Sequence, residues 1–335
     1  MKITIATGVY PPEIGGPSEY ARELFSVLTA KGHDVKVVTY GNLKKFLTGF
    51  RHILYFFRLV MQAYNTKYII TLDTFSTGLP AVLFSKLFRK KIVIRVGGDF
   101  LWESYVNRTH QMIFMSEFYK EKRKYSLKEK IIFHLTRFVF RNSNALVFNT
   151  DWQRKIMMEP YCLDIEKTYV IENAYLPVEV VDNSQSYPKI FLSPTRDSYV
   201  KNKKRLKEAF DLIKTKHHDI ILDTEIVTHQ EMVGKISKSY VVLATSLSDV
   251  SPNLVSYALE SSIPVIITND TGMKDRLKGM AIFVDPLSTE DITLAIEKML
   301  NSEIYQSLRN NIINSTYRHS WNEIAQEFLD LYKKL

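Results

Sequence analysis

Short apolar runs alternate with amphipathic segments from the first residues onward. Ile3–Thr7 is an apolar run of strand length. After a loop rich in glycine and proline, Tyr20, Leu24, Val27 and Leu28 recur at the spacing of one helix face across Ser18–Ala30. Gly32 closes that helix and Val35–Thr39 opens a second strand. The alternation predicts further strands over Tyr68–Leu72, Lys91–Val96, Ala145–Asn149 and Thr168–Ile171, with helices over Leu79–Phe88 and Leu127–Arg141. It stops in the polar stretch Asp182-Asn183-Ser184-Gln185-Ser186, where a domain boundary is expected. It then resumes with strands over Ile190–Ser193, Ile220–Leu222, Val241–Thr245, Val265–Thr268 and Ala281–Val284, and helices over Arg205–Lys214, Gln230–Ser239 and Leu254–Ser261. Helices over Thr289–Leu300, Glu303–Ser315 and Trp321–Lys334 close the chain.

Runs of this kind build right-handed β-α-β units on parallel sheets. The expected fold is therefore α/β: two Rossmann-like, doubly wound domains facing a central cleft, with ligands at the carboxyl ends of the strands. The expected bounds are 1–183 for an N-terminal domain and 184–318 for a C-terminal domain, followed by a last helical segment in 319–335.

Length supports the count, since 335 residues make about two domains. Hydrophobic residues at 45% and charged residues at 24% exclude disorder, collagen and coiled coil. A lone cysteine, Cys162, implies no oxidising compartment, so a cytoplasmic location is expected. The N-terminal apolar run is too short for a signal-peptide core. No stretch reaches the ~18 apolar residues of a membrane span, because the greasiest, Ile53–Val60, is broken by Arg58.

Lys+Arg 45 against Asp+Glu 36 gives a net charge of +9 and favours an anionic partner. Residues 43–60 contain no acid and many aromatics, the features of a helix lying on an anionic membrane surface, and 120–130 add further bases. A buried helix with lysines at its ends fits 43–60 equally well, and both readings stay open. Nucleic acid is not expected, since no recognised binding module accompanies the charge.

Four segments carry candidate chemistry. In the loop Tyr10–Ser18, Gly15 and Gly16 let the backbone approach an anion at a helix start, although Gly8 stands too far away for a dinucleotide fingerprint. Arg196 and Lys201 follow the strand ending at Ser193; they suit a diphosphate by fork geometry and point charge, or belong to a solvated basic face with Lys203, Lys204, Arg205 and Lys207. Ser251, Pro252, Asn253, Leu254 and Val255 open a helix after Asp249 and read as a cap or an anion cradle. The Gly97-Gly98-Asp99 loop places Asp99 to cap a turn or to bond a ligand hydroxyl.

Taken in order, these segments resemble a retaining glycosyltransferase of family 4 with the GT-B fold, over nearly the whole chain. The apolar strand, Pro11-Pro12, Gly15-Gly16, a helix and Lys31-Gly32-His33-Asp34-Val35 are similar to the family's N-terminal signature. Arg196, Lys201, Leu206, Glu208, Ala209 and Phe210 match its R-x4-K-G-x3-L-x-E-A-F segment, with Asn202 in the glycine's place. Val170-Ile171-Glu172-Asn173-Ala174 resembles V-I-P-N-G, Phe283-Val284-Asp285-Pro286 resembles L-V-D-P, and Gly98-Asp99 with Trp102-Glu103 resembles G-D-x-x-W-E. Trp321 is similar to the aromatic at the head of the family's returning helix.

The resemblance implies transfer of a sugar from a nucleotide-diphosphate donor to a glycan or lipid-linked acceptor in polysaccharide or glycolipid synthesis. Arg196 and Lys201 are implied to neutralise the leaving diphosphate and Asp249 to face the donor sugar. Backbone around Ser251–Val255 and Gly15-Gly16 is implied to hold the phosphates, and Thr228 and His229 to meet the base. Neither a metal nor any other cofactor is expected. Where the family has a ribose-binding glutamate stands Tyr257, which cannot accept two hydroxyl hydrogen bonds as a carboxylate does; Glu260 lies one helical turn on. A catalytically inactive GT-B subunit or binding protein is the alternative, followed by a nucleotide-sugar epimerase or hydrolase of the same fold and, last, a nicotinamide-dependent oxidoreductase.

Overall fold

Aliphatic and β-branched runs form the strands β1 (Lys2–Thr7), β2 (Asp34–Thr39), β3 (Tyr68–Thr71), β4 (Lys91–Val96), β5 (Ala145–Phe148), β6 (Thr168–Val170), β7 (Lys189–Leu192), β8 (Ile220–Asp223), β9 (Val241–Ala244), β10 (Val265–Thr268) and β11 (Ala281–Val284). Between them lie the helices α1 (Gly16–Ala30), α2 (Thr48–Ala63), α3 (Gly78–Leu87), α4 (Phe100–Thr109), α5 (Met115–Phe118), α6 (Leu127–Asn142) and α7 (Asp151–Met158). The second half adds α8 (Lys203–Lys214), α9 (His229–Ile236), α10 (Asn253–Glu260), α11 (Thr289–Leu300), α12 (Ser302–Ile313) and α13 (Trp321–Lys334). This computed structural model describes residues 1–13, 15–176, 183–184 and 186–335, with all their side chains except those of Thr48, His229 and Gln230.

Two compact units emerge. One comprises Met1–Leu101, Lys124–Asn173 and His319–Leu335; the other comprises Trp102–Arg123 and Ala174–Arg318. In the first, six parallel strands run in the order β2-β1-β3-β4-β5-β6. Interior strands β3 and β5 are buried at every position, whereas edge strand β2 alternates with exposure, as helices on both faces of a parallel sheet require. Chain reversal at β1 leaves a switch point between β1 and β3, where the chain leaves the sheet after Thr7. Gly15 holds φ 154°, a conformation costly for any residue with a Cβ, and α1 begins after it without a side-chain cap.

α13 returns to the first unit. Its Trp321 meets the Tyr20 ring edge-on at 4.9 Å, and the Tyr68 hydroxyl donates to the Phe328 carbonyl at 3.1 Å. Phe328 is fully buried, an anchor worth about 1.5–3 kcal/mol by area. The serine-to-glutamate spacing of Ser320 and Glu323 forms a capping box that starts α13 where the sequence predicts it, and Ser126 with Glu129 does the same for α6.

In the second unit, five parallel strands run β11-β10-β9-β7-β8. One face packs Phe191, Phe210, Tyr240 and Tyr305, the last two stacked at 4.2 Å; the other packs Leu192, Val255, Leu259 and Ile267.

Three differences from the sequence reading have physical causes. Phe100–Thr109 is a helix rather than the continuation of a loop, because the Asp99 carboxylate accepts the Leu101 amide (2.9 Å) and starts it. Asp151–Met158 is a short helix capped by the Thr150 hydroxyl on the Gln153 amide. α9 stops at Ile236, where the Ser239 hydroxyl turns back onto the Ile236 carbonyl (2.8 Å). Of the polar stretch 182–186, where the domain boundary is expected, Asp182 and Gln185 lie outside the described residues.

Residues 43–60 fall in a 3-10 turn and α2, which packs Tyr55, Leu59 and Ala63 inward and leaves Phe50, Ile53 and Phe57 exposed. In 120–130, Lys120 pairs with Glu117 (2.7 Å) and Arg123 with Glu121 (3.0 Å), so part of that charge is already met.

Candidate active site at the switch point of the second sheet

β8 and β9 lie on opposite sides of β7, so the chain leaves β7 in both directions and a crevice opens beyond the carboxyl ends of β7 and β9. In doubly wound sheets that crevice is the ligand position. The loop after β7 carries Arg196 and Lys201, and the loop after β9 carries Asp249.

Lys201 Nζ lies 3.0 Å from Asp249 Oδ2 and 3.4 Å from the Ser246 hydroxyl, joining the two loops across the switch point. Both side chains are largely shielded, at 23% and 16% exposed. Asp249 is held by its backbone, its amide bonding the Asp270 carbonyl (3.1 Å) and its carbonyl accepting from Gly272 (3.2 Å).

Asn202 explains the turn that sets Lys201. Its φ is 53°, in the left-handed region that glycine takes most readily and asparagine next. The side chain is buried and donates to the Thr245 carbonyl (3.2 Å) and the Pro286 carbonyl (2.6 Å), tying the turn to the ends of β9 and β11. Asparagine thus supplies both the conformation and the anchoring.

Arg196 is 63% exposed and pairs with Glu103 at 2.6 Å. Glu103 sits on α4, in the segment Trp102–Arg123 that packs with this unit. The same segment makes four further contacts with the site loops. Asn107 accepts the Tyr199 amide (3.1 Å), and the His110 ring stacks on Tyr199 at 3.8 Å. The Met115 amide donates to the Ser248 hydroxyl (2.8 Å), and the Ser116 amide to Asp270 Oδ2 (3.4 Å), which also takes the Ser248 proton (2.5 Å). A polar network therefore seats 102–123 over the loops after β7, β9 and β10.

Sequence reasoning missed the hydroxyls around these loops. The buried hydroxyl oxygens of Thr195 and Ser198 after β7, Thr245 at the end of β9 and Ser256 in the first turn of α10 have no hydrogen-bond partner among the described residues. Buried polar groups normally find partners. Threonine and serine after a strand were the only signal for them in the sequence. The N-terminus of α10 has Pro252 at its cap position and no side chain capping it, so its first turn keeps the polarity that attracts anions. Ser251, Pro252, Asn253 and Leu254 are half-buried there, and Val255 turns its side chain into the core.

Thr228 is engaged in a capping box with Glu231 that starts α9; His229 opens the helix, and its side chain lies outside those described. Tyr257 is half-buried and packs on the same core as Val255 and Leu259. The Glu260 carboxylate accepts the Leu176 amide at 3.0 Å, and burial pushes its pKa up to about 7 against the pull of Arg276. Gly15, Gly16 and Asp99 belong to the first unit, where Asp99 is only 4% exposed and bonds the start of α4. Among the described residues, no group of three or more His, Cys, Asp or Glu is arranged to hold a metal.

No model of a known protein family matches the sequence, and no curated protein matches it either. Solved structures do match. The chain is similar to sucrose-phosphate synthase from Thermosynechococcus elongatus with a TM-score of 0.74 at 12% identity, covering 100% of this chain and 99% of that one. It is similar to Anabaena HepE in complex with UDP-glucose, with a TM-score of 0.73 at 12% identity and 100% of both chains covered. It is also similar to a putative UDP-N-acetylglucosamine 2-epimerase from Listeria monocytogenes, with a TM-score of 0.63 at 14% identity over 99% and 96% of the two chains. At such identities the likeness concerns the fold, which is α/β with two doubly wound units of the GT-B kind.

Proposed function

We propose that this chain is a retaining glycosyltransferase that takes a sugar from a nucleotide-diphosphate donor bound at the switch point of the second sheet and passes it to a glycan or lipid-linked acceptor. The observation that carries the proposal is the Lys201–Asp249 pair spanning that switch point, with Arg196 on the same loop. Breaking the bond between the anomeric carbon and the β-phosphate oxygen leaves negative charge on the diphosphate, and the main work of the protein is to stabilise that charge. Arg196 and Lys201 supply cations for it, and the uncapped start of α10 supplies amides.

The carboxylates of Glu103 and Asp249 stand against these cations. Donor phosphates displace them: Lys201 exchanges Asp249 for phosphate, and Asp249 is released to accept sugar hydroxyls. The retaining outcome rests on the family resemblance. Gly15-Gly16 remains the first unit's candidate for the donor phosphates and Asp99 for a donor or acceptor hydroxyl. UDP-glucose, named with HepE, makes uridine nucleotides the first donors to try.

Tyr257 favours one other reading, a GT-B protein that has lost donor affinity, since the ring takes the place of a ribose-binding carboxylate while Glu260 is held by Leu176. Assays with sugar nucleotides separate the readings. Transfer that depends on acceptor and is lost in Arg196→Ala and Lys201→Ala supports the proposal. Donor consumption without acceptor points to epimerisation or hydrolysis, and absence of binding to the inactive protein.

A further inference from the structure

We infer that the outward face of α2, continued by the end of α3, is a docking surface for an anionic lipid bilayer. Leu47, Phe50, Ile53, Phe57, Met61 and Tyr64 recur every three or four residues and so share one side of the helix. All are exposed, Leu47 by 85% and Met61 by 78%. Leu83 and Leu87 on the neighbouring α3 are exposed as well, and the Tyr64 ring meets Phe88 at 5.3 Å, so the apolar surface is continuous from one helix to the next. The opposite side of α2 is firmly packed: Tyr55, Leu59 and Ala63 are buried, and the Tyr55 hydroxyl donates to the Val38 carbonyl at 2.7 Å. The stripe is therefore presented in a fixed orientation. Exposed apolar stripes of this size mark binding surfaces.

Charge decides the partner. Residues 35–98 hold eleven lysines and arginines and one acid, Asp73, a net of +10; the whole chain is +9, so everything else sums to −1. Asp73 is turned into its own loop, where its carboxylate accepts the Phe75 and Ser76 amides (2.8 and 2.6 Å). Of the eleven, Arg58 bonds the Thr39 and Tyr40 carbonyls, Arg95 is buried, and Lys86 donates to the Asn142 side chain. Lys44, Lys45 and Arg51 stand at the N-terminal end of the stripe and Lys86, Arg89 and Lys90 at its other end; Lys44 is paired with Glu13.

A second copy of this chain would bring two such strongly positive faces together and is disfavoured by repulsion. Nucleic acid would answer the bases but leave Leu47, Ile53, Met61, Leu83 and Leu87 in water. Anionic lipid satisfies both features: the apolar stripe enters the acyl boundary and the bases meet the headgroups. The inference stands independently of the transferase reading, and it gives that reading a place for a lipid-linked acceptor.

Flotation of the full chain with vesicles tests it. Binding to phosphatidylcholine vesicles containing phosphatidylglycerol, at least about tenfold stronger than to phosphatidylcholine alone and weakened by salt, is expected. Phe50→Ser with Phe57→Ser, and separately Lys86→Glu with Lys90→Glu, each lower that binding about tenfold or more while the circular dichroism spectrum stays native. No preference for anionic vesicles, or binding that both double variants leave unchanged, overturns the inference. So does a dimer in sedimentation that Phe50→Ser with Phe57→Ser splits into monomers, since the face then belongs to a second copy. Nucleotide binding by the same variants, measured alongside, reads the transferase proposal separately.

Discussion

Arg196 and Lys201 stand out in the sequence as candidates for a diphosphate because they follow a strand and match the segment of the family the chain resembles. Their partners were not, because Glu103 lies 93 positions from Arg196 and only folding brings the two together. That pair gives a prediction. Glu103→Gln leaves Arg196 without its carboxylate, so affinity for nucleoside diphosphates should rise several-fold, a modest change because the pair is exposed. Titration of the variant beside the parent checks this, and unchanged or weaker binding contradicts it.

Asn202 gives a second. Asn202→Ala loses the bonds to the Thr245 and Pro286 carbonyls and keeps a Cβ at a left-handed φ, whereas Asn202→Gly loses only the bonds. Alanine should cost about 2–4 kcal/mol and glycine about 1 kcal/mol less than alanine. Urea unfolding midpoints in the order parent, glycine, alanine confirm the account; glycine below alanine refutes it.

At the level of elements, every strand was legible to within one residue at either end, since parallel strands buried on both faces are continuous apolar runs. Helices outside 43–60 were legible where their apolar spacing repeats, down to α9 and α10 with eight residues; α5, with four, is too short to repeat it, and α7, with eight, was missed. α4 was hidden by a different cause, the Gly97-Gly98-Asp99 turn, whose aspartate starts a helix instead of ending a loop. For α2 the sequence left a buried helix and a membrane-surface helix open; the helix packs Tyr55, Leu59 and Ala63 inward and leaves Phe50, Ile53 and Phe57 exposed.

The C-terminal end of α10 carries a pH-dependent contact. With Glu260 raised from its ordinary 4.5 to about 7, the folded chain holds a proton there that the unfolded chain has released, so this group's contribution to stability falls as pH rises between those values. Glu260→Gln should flatten the loss of thermal stability between about pH 5 and about pH 7 and be the more stable protein above that window. Parallel pH profiles for the two proteins would contradict the burial argument.

Across the whole molecule, charge and chemistry are divided by sequence region. The positive excess lies in residues 35–98 of the first unit, and the second unit carries the paired cations, orphaned hydroxyls and uncapped helix start of the candidate site. The two-unit architecture was legible from the interrupted alternation alone. The place of Trp102–Arg123 was not, because no local pattern shows that a segment leaving one sheet packs with the loops of the other unit.

The central claim is that the switch point of the second sheet binds a nucleotide diphosphate through Arg196 and Lys201. Calorimetric titration of the purified chain with UDP, GDP and ADP and their common sugar nucleotides tests it most directly, with Arg196→Ala and Lys201→Ala as controls. The account predicts that one nucleotide binds with a dissociation constant on the order of micromolar, and that each variant loses about tenfold or more, the worth of one charge-assisted hydrogen bond. No heat with any of them, or binding that both variants leave untouched, would contradict it.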